Sequence, residues 1–333
     1  MYSSYDASSV VSASAAAKTI GAAAVATKGT ANKVELITSY EEGKSVFGED
    51  ASGVYGMSTL LRFLFANGAG AVKAVAVGKD ESEEKDYASA FAALSDEEDV
   101  GVMVCDSAAQ SVHLLLKTAA EEASAARRER IAVIGGSEET VAQMVNRAKA
   151  VNSERVVLVG PDIASDDGGT MSAVFAAAAV AAVIAGTTDP SVPINGAELT
   201  LFGAAGKRLS DNEIDQLVRG GVTPIETVGG VSSPVRGITT KTSSGGATDT
   251  TWRELTTILI VDEVTPTIRS ALRTRFARSK NTAQSRGAIR SQVVLELEEM
   301  KSREIVDSYG EVLVSALKSD PTCLLYTSDA ADD

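Results

Sequence analysis

Histidine, tryptophan and cysteine are nearly missing from this chain. Its 333 residues hold one His, one Trp and two Cys. With a single imidazole, at His113, triad or general-base chemistry of the usual kind has almost nothing to work with, and a histidine-rich metal centre is excluded. Cys105 and Cys323 lie far apart in sequence. They make no disulfide framework and fit a reducing cytoplasm. Aromatics amount to 5%, so alanine and valine carry the apolar content, and a core built from them gains its stability from many small contacts. Basic charge is outnumbered, 31 Lys and Arg against 45 Asp and Glu, for a net charge of -14. Such a chain repels phosphate backbones, so nucleic acid is not an expected partner. The longest apolar run, Ala173 to Ala185, is mostly alanine and falls short of a bilayer span; it reads as a buried helix, and no direct membrane insertion is expected. The opening MYSSYDASSV has no basic segment leading into an apolar one, so it is not read as a signal peptide.

What the chain does have is alternation. Short apolar runs at 20–27, 34–39, 72–77, 100–105, 130–135 and 155–160 read as strands. Between and after the last four lie helical stretches at about 83–94, 108–125, 138–150 and 171–185, and residues 53–66 read as an earlier helix ending at Asn67-Gly68. Apolar strands alternating with helices argue for a parallel sheet covered on both faces. After Gly186 the texture changes. Pro190, Pro193 and Gly196 mark an irregular connection, and Ser210 with Glu213 forms a capping box for a helix that stops at Gly220-Gly221. Strand-like stretches follow at 222–228 and 235–241, then a loop at 243–249. A helix from about 250 to 276 should be kinked or split by Pro266. Another covers 282–300, and 312–317 reads as a strand. The fold class is therefore α/β: a central parallel-rich sheet with flanking helices, then a smaller α+β C-terminal domain, with extended terminal arms. The boundaries fall at 1–19 for an N-terminal arm, 20–205 for the α/β domain, 206–318 for the C-terminal assembly domain, and 319–333 for an atypical tail.

Alternation of this kind also suits a nucleotide-binding protein or an enzyme. The chain has no G-x-G-x-x-G and no G-x-x-x-x-G-K-[ST]. Gly135-Gly136-Ser137 reads as a tight turn with Ser137 as helix cap, and Glu138 and Glu139 would repel a phosphate there. Cys105 sits at a strand end, where active sites of parallel sheets gather, yet nothing near it in sequence would activate a thiol. Asp162, Asp166 and Asp167 match no calcium loop. No catalytic, cofactor-binding or metal-binding residue is assigned, and no cofactor is expected.

One stretch departs from the acidic background. From Pro266 to Arg290 there are seven basic residues and no acidic one: Arg269, Arg273, Arg275, Arg278, Lys280, Arg286 and Arg290. On a helix, Arg269 and Arg273 share a stripe at i, i+4, and Arg275 and Arg278 form a second. Without interleaved aromatics a nucleic-acid surface is the weaker reading; a complementary acidic protein surface is the preferred one.

Several stretches, taken in order, resemble the contractile phage tail sheath family. They are IGAAAVATKGTANKVELITSYEEGKSVFG from Ile20, LRFLFANGAGAVKAVAV from Leu61, VAAVIAGTTDPSVPINGAEL from Val180, LVRGGVTPIE from Leu217, VRGITTKT from Val235 and TDTTWRELTTILIVDEV from Thr248. The resemblance implies a structural protein and not an enzyme. It would assemble with copies of itself as stacked hexameric rings around an inner tail tube protein, next to baseplate and tail-terminator proteins. It would belong to a virion or phage-tail-like particle assembled in the bacterial host cytoplasm. Contraction would drive the tube through a membrane. The resemblance also implies arms that add strands to neighbouring subunits, with Tyr2, Tyr5, Val10, Val312 and Val314 as candidate arm residues. The arginine stretch, represented by Arg269, Arg273, Arg275 and Arg278, becomes the candidate tube-facing surface. Two departures stand out. The family's opening R-P-G-V-Y segment has no counterpart before Met1-Tyr2, so the N-terminal arm reads as shortened. The final CLLYTSDAADD shows no strand alternation and reads as a product of frameshift or read-through, so the chain is expected to polymerise poorly on its own. The alternative remains an α/β nucleotide-binding protein or enzyme of unknown substrate.

Overall fold

The computed structural model describes residues 18–79, 85–164, 169–201, 203, 206, 208–316, 324–327 and 330–331. Eight strands form the central sheet: β1 (Thr19–Ala24), β2 (Val34–Ile37), β3 (Val72–Ala76), β4 (Val100–Cys105), β5 (Ile131–Gly135), β6 (Val156–Gly160), β7 (Thr223–Val228) and β8 (Val231–Pro234). Their order across the sheet is β8-β7-β6-β5-β4-β1-β3-β2. The pairs from β3 through β1, β4, β5 and β6 to β7 are all parallel, and the outermost pairs at each edge, β2 with β3 and β7 with β8, are antiparallel.

The inner strands are apolar on both sides because both sides are covered. On one side Ile20, Ala22, Ala24, Val102, Val104, Val133 and Val159 share a core with helices α1 (Tyr40–Phe47), α2 (Met57–Ala66) and α6 (Ala173–Gly186). On the other, Ala23, Met103, Cys105, Ile134 and Leu158 meet α3 (Tyr87–Ser95), α4 (Gln110–Ala125), α5 (Val141–Val151) and α7 (Asp211–Arg219). The Ala-rich run is the buried helix that the composition suggests: Ala173 to Ala182, Ile184 and Ala185 are all buried in α6. Small side chains let α6 press close to the sheet. A Cβ placed on Gly135 would lie 2.2 Å from the Ala173 carbonyl carbon.

The expected mostly parallel α/β body is observed, with differences of detail. Residues 40–47, given no element in the sequence reading, form α1, capped by the Ser39 side chain, which accepts from the Glu42 N–H. Gly43 lies inside that helix because α2 comes so close that a Cβ would meet Leu61 Cδ1 at 2.5 Å. Ser137 is not the cap of α5. Thr140 is, in a reciprocal capping box with Gln143, because the turn after β5 runs on through Glu138 at φ 55°. The capping box of Ser210 and Glu213 on α7 is present. The stretch 235–241 forms no strand beyond a single bridge from Ile238 to Glu254; residues 231–234 pair with β7 instead. The sheet thereby reaches past residue 205, and β7 and β8 complete it.

Helix α8 (Leu255–Phe276) is one continuous helix through Pro266, not two, and α9 (Ala283–Ser302) follows it. Leu255, Ile258 and Leu259 of α8 remain in the sheet core. Farther along, Ile260 packs with Met300, Ile305 and Val306, and Ile268 with Val293, Leu297 and Val312, giving the helical hairpin small cores of its own. Strand β9 (Leu313–Ala316) pairs antiparallel with β10 (Leu324–Thr327). The tail, in which the sequence shows no strand alternation, thus supplies a strand backbone.

Candidate functional site

In an open α/β sheet, ligands bind beyond the carboxyl ends of the strands where the winding reverses. Here that point lies between β1 and β4, and it is closed by its own residues. Asp106, just after β4, accepts hydrogen bonds from the Val25 backbone N–H at 2.9 Å and from the Tyr87 hydroxyl at 2.7 Å. Burial pushes the Asp106 carboxyl and the Tyr87 hydroxyl above their ordinary pKa ranges. The neighbouring Cys105 is 3% exposed, and burial pushes its thiol up to about 12, the opposite of an activated nucleophile.

His113 is fully buried on α4. One ring nitrogen, Nε2, lies 2.8 Å from the Ser107 carbonyl and the other, Nδ1, 3.1 Å from Arg147 Nη1. An Nε2–H that donates to Ser107 and an Nδ1 that accepts from Arg147 satisfy a neutral ring. Burial, with Arg147 adding to it, lowers its pKa to about 4. Arg147 is held in turn by Glu139, at 2.9 Å and 2.8 Å from Nε and Nη2. Both polar atoms of the imidazole are committed to packing.

Beyond β5 and β6 a cavity of about 390 Å³ is lined by Glu138, Glu139, Asp162, Met144 and Leu209 among others, with no basic residue in its described lining. The turn at Gly135-Gly136 leads to it, and the Glu139 carboxylate lies against Gly136, its Oε2 2.1 Å from where a Cβ would stand. Asp162 is already spoken for: it accepts from the backbone N–H of Glu138 at 2.5 Å and of Ala173 at 2.8 Å. Asp166 and Asp167 lie outside the described residues. Among the described residues no group of three or more His, Cys, Asp or Glu is placed to hold a metal ion, and no helix is long and apolar enough to cross a membrane.

The arginine stretch divides by location. Arg269 is half-buried and pairs with Glu129 of the α/β body at 3.0 Å. Arg273 and Arg275 sit exposed in the last turn of α8, where cations also complement the helix dipole, and Arg275 hydrogen-bonds Gln292 of α9. Arg278 lies beyond the end of α8, exposed in the connection to α9. The helical stripes expected from spacing thus extend only to Arg275. Of the candidate arm residues, Val312 is buried against the hairpin and Val314 is partly buried beside it on β9. Tyr2, Tyr5 and Val10 lie outside the described residues.

Three residues had no signal in the sequence pattern: Glu129, Arg155 and Asp262. Asp262 is 8% exposed on α8, and Arg155, ahead of β6, places Nη1 2.6 Å from its Oδ1 and 2.5 Å from its Oδ2. Burial outweighs the pull of Arg155 and leaves the Asp262 carboxyl above its ordinary pKa. The one available clue was a pair of acids, Asp262 and Glu263, inside the otherwise apolar run ILIVDEV.

The chain belongs to the phage tail sheath family: residues 80–240 match the phage tail sheath protein central domain and residues 247–331 the phage tail sheath C-terminal domain. A tail sheath protein of Bacillus phage SP01 is 30% identical over 195 residues, which is 57% of this chain and 34% of that one; the chain thus spans about a third of that curated relative. The sheath tail protein from Desulfitobacterium hafniense shares the fold with a TM-score of 0.72 at 10% identity, covering 99% of each chain. The anti-feeding prophage helical sheath in its contracted state does so with a TM-score of 0.70 at 14% identity, covering 99% of this chain and 94% of that one.

Proposed function

We propose that this chain is a structural subunit of a contractile tail sheath, stacking as hexameric rings around an inner tube and shortening to drive that tube through a membrane. The match of two consecutive sheath-family domains along most of the chain carries this reading. Its partners are further sheath subunits, an inner tail tube protein, and baseplate and tail-terminator proteins; neither nucleic acid nor membrane insertion enters. Its place is a virion or a phage-tail-like particle, assembled in the host cytoplasm. It works without turnover or cofactor, in keeping with a switch point closed by Asp106 and Tyr87 and a lone histidine satisfied on both nitrogens. The α/β body, 20–205 with β7 and β8 added, is the packing unit. The remainder of 206–318 is the assembly domain, and the segment with Val314, anchored to the hairpin by the buried Val312, belongs to the arm that meets neighbouring subunits.

The tube-facing surface is the exposed end of the α8–α9 hairpin with Arg273, Arg275 and Arg278. Arg269 stands at its inner border, paired with Glu129. In a chain of net charge -14 this end selects an acidic partner. Exposed pairs contribute only about 0–1 kcal/mol each, but every subunit of a polymer repeats them. Reversing Arg273, Arg275 and Arg278 to Glu should abolish co-sedimentation with inner tubes, and raised salt should weaken the unaltered protein. Unchanged co-sedimentation of the reversed variant at low salt would exclude this surface.

A further inference from the structure

The apolar attachment of α8 to the body ends at Leu259; past it Ile260, Val264, Ile268 and Leu272 serve the hairpin's own cores. Two ion pairs then tie the helix to the body. Arg155 holds Asp262, with 13% and 3% of the two side chains exposed. Glu129 holds Arg269, with 13% and 30% exposed. Asp262 and Arg269 are seven residues apart, two turns, and so face the same way. Their body partners stand ahead of neighbouring strands: the Ala132 N–H, at the start of β5, donates to the Arg155 carbonyl at 2.8 Å. The charges alternate correctly, a cation for Asp262 and an anion for Arg269.

Between the two contacts stands Pro266. It has no N–H for the Asp262 carbonyl four residues back, and its ring crowds that carbonyl, so a helix is weakest and most prone to bend at this point. Yet α8 runs unbroken from Leu255 to Phe276. One ion pair grips the residue four before the proline and the other the residue three after it.

We propose that Arg155 and Glu129 splint α8 across Pro266, so that these two body residues set the direction of the helix end that carries Arg273 and Arg275. The splint rests on geometry within one chain; its use in aiming those arginines at a tube rests on the reading above.

Hydrogen–deuterium exchange on the unassembled protein tests it. Glu129→Gln should raise exchange of the amides from Ser270 to Phe276 about five- to tenfold while the amides of β5 keep their protection. In a Pro266→Ala background, where the helix regains its own hydrogen bond, Glu129→Gln should change nothing in that segment. A merely stabilising ion pair would act alike in both backgrounds. No change on Glu129→Gln, an equal rise with alanine at 266, or a matching rise in β5 would each overturn the splint. Co-sedimentation with tubes is a separate readout, so loss of tube docking by Arg273→Glu with unaltered exchange speaks to the interface alone.

Discussion

Arg155 and Asp262 stand 107 positions apart in the chain and meet at 2.6 Å, with the carboxylate almost fully buried. A buried carboxylate is costly unless its partner stays in place. This one joins the front of β6 to the helix that leads to the arginine-bearing end.

Removing the cation alone should therefore do more harm than removing the pair. Arg155→Met is expected to cost about 3–5 kcal/mol of unfolding free energy at neutral pH, because it strands Asp262, whereas Arg155→Met with Asp262→Leu should regain most of it. Urea unfolding of the three proteins measures this. Equal losses for the single and double variants would mean that the pair contributes through packing and not through charge.

A second expectation concerns acid. His113 titrates near 4 when folded and near 6.5 when unfolded. The unfolded chain takes up the proton first, so the contribution of His113 is complete above about pH 6.5 and is lost as pH falls toward about 4, up to about 3 kcal/mol in all. Replacing it by Gln, which keeps a donor for the Ser107 carbonyl, should flatten the stability profile across that window. Since His113 is the only histidine, an unchanged slope would assign the acid sensitivity to carboxylates.

The close seat of α6 on the sheet makes a third. Gly135→Ala would drive a methyl into the backbone of Ala173 and Val174, at 2.2–2.3 Å, where no side chain can swing away. A loss of about 3 kcal/mol is expected, read as a lowered thermal midpoint. A midpoint within about 1 °C of the parent would show that α6 can shift at little cost.

How much of this was readable beforehand follows from the range of the forces involved. The inner strands announce themselves because both faces are buried, as in VVLVG at β6, and α6 because it is apolar all round. The capping box of Ser210 and Glu213 is local and was legible for the same reason. Helix α1 escaped because Gly43 lowers its propensity, and what retains that glycine is the distant Leu61. The stretch 235–241 has strand composition, but β8 already occupies the edge of β7. Pro266 should have broken α8 on local grounds; two ion pairs to residues more than a hundred positions earlier hold the helix on either side of it. The arginine stretch was visible as composition, whereas its division into a paired Arg269 and an exposed end depends on Glu129, which no spacing rule connects to it.

Electron microscopy of the protein produced together with its inner tube protein shows whether the chain forms a sheath. Tubes clad in stacked rings with sixfold symmetry are expected. Bare tubes beside dispersed single copies of this chain, under low-salt conditions where the arginine end is fully active, would contradict the proposed function.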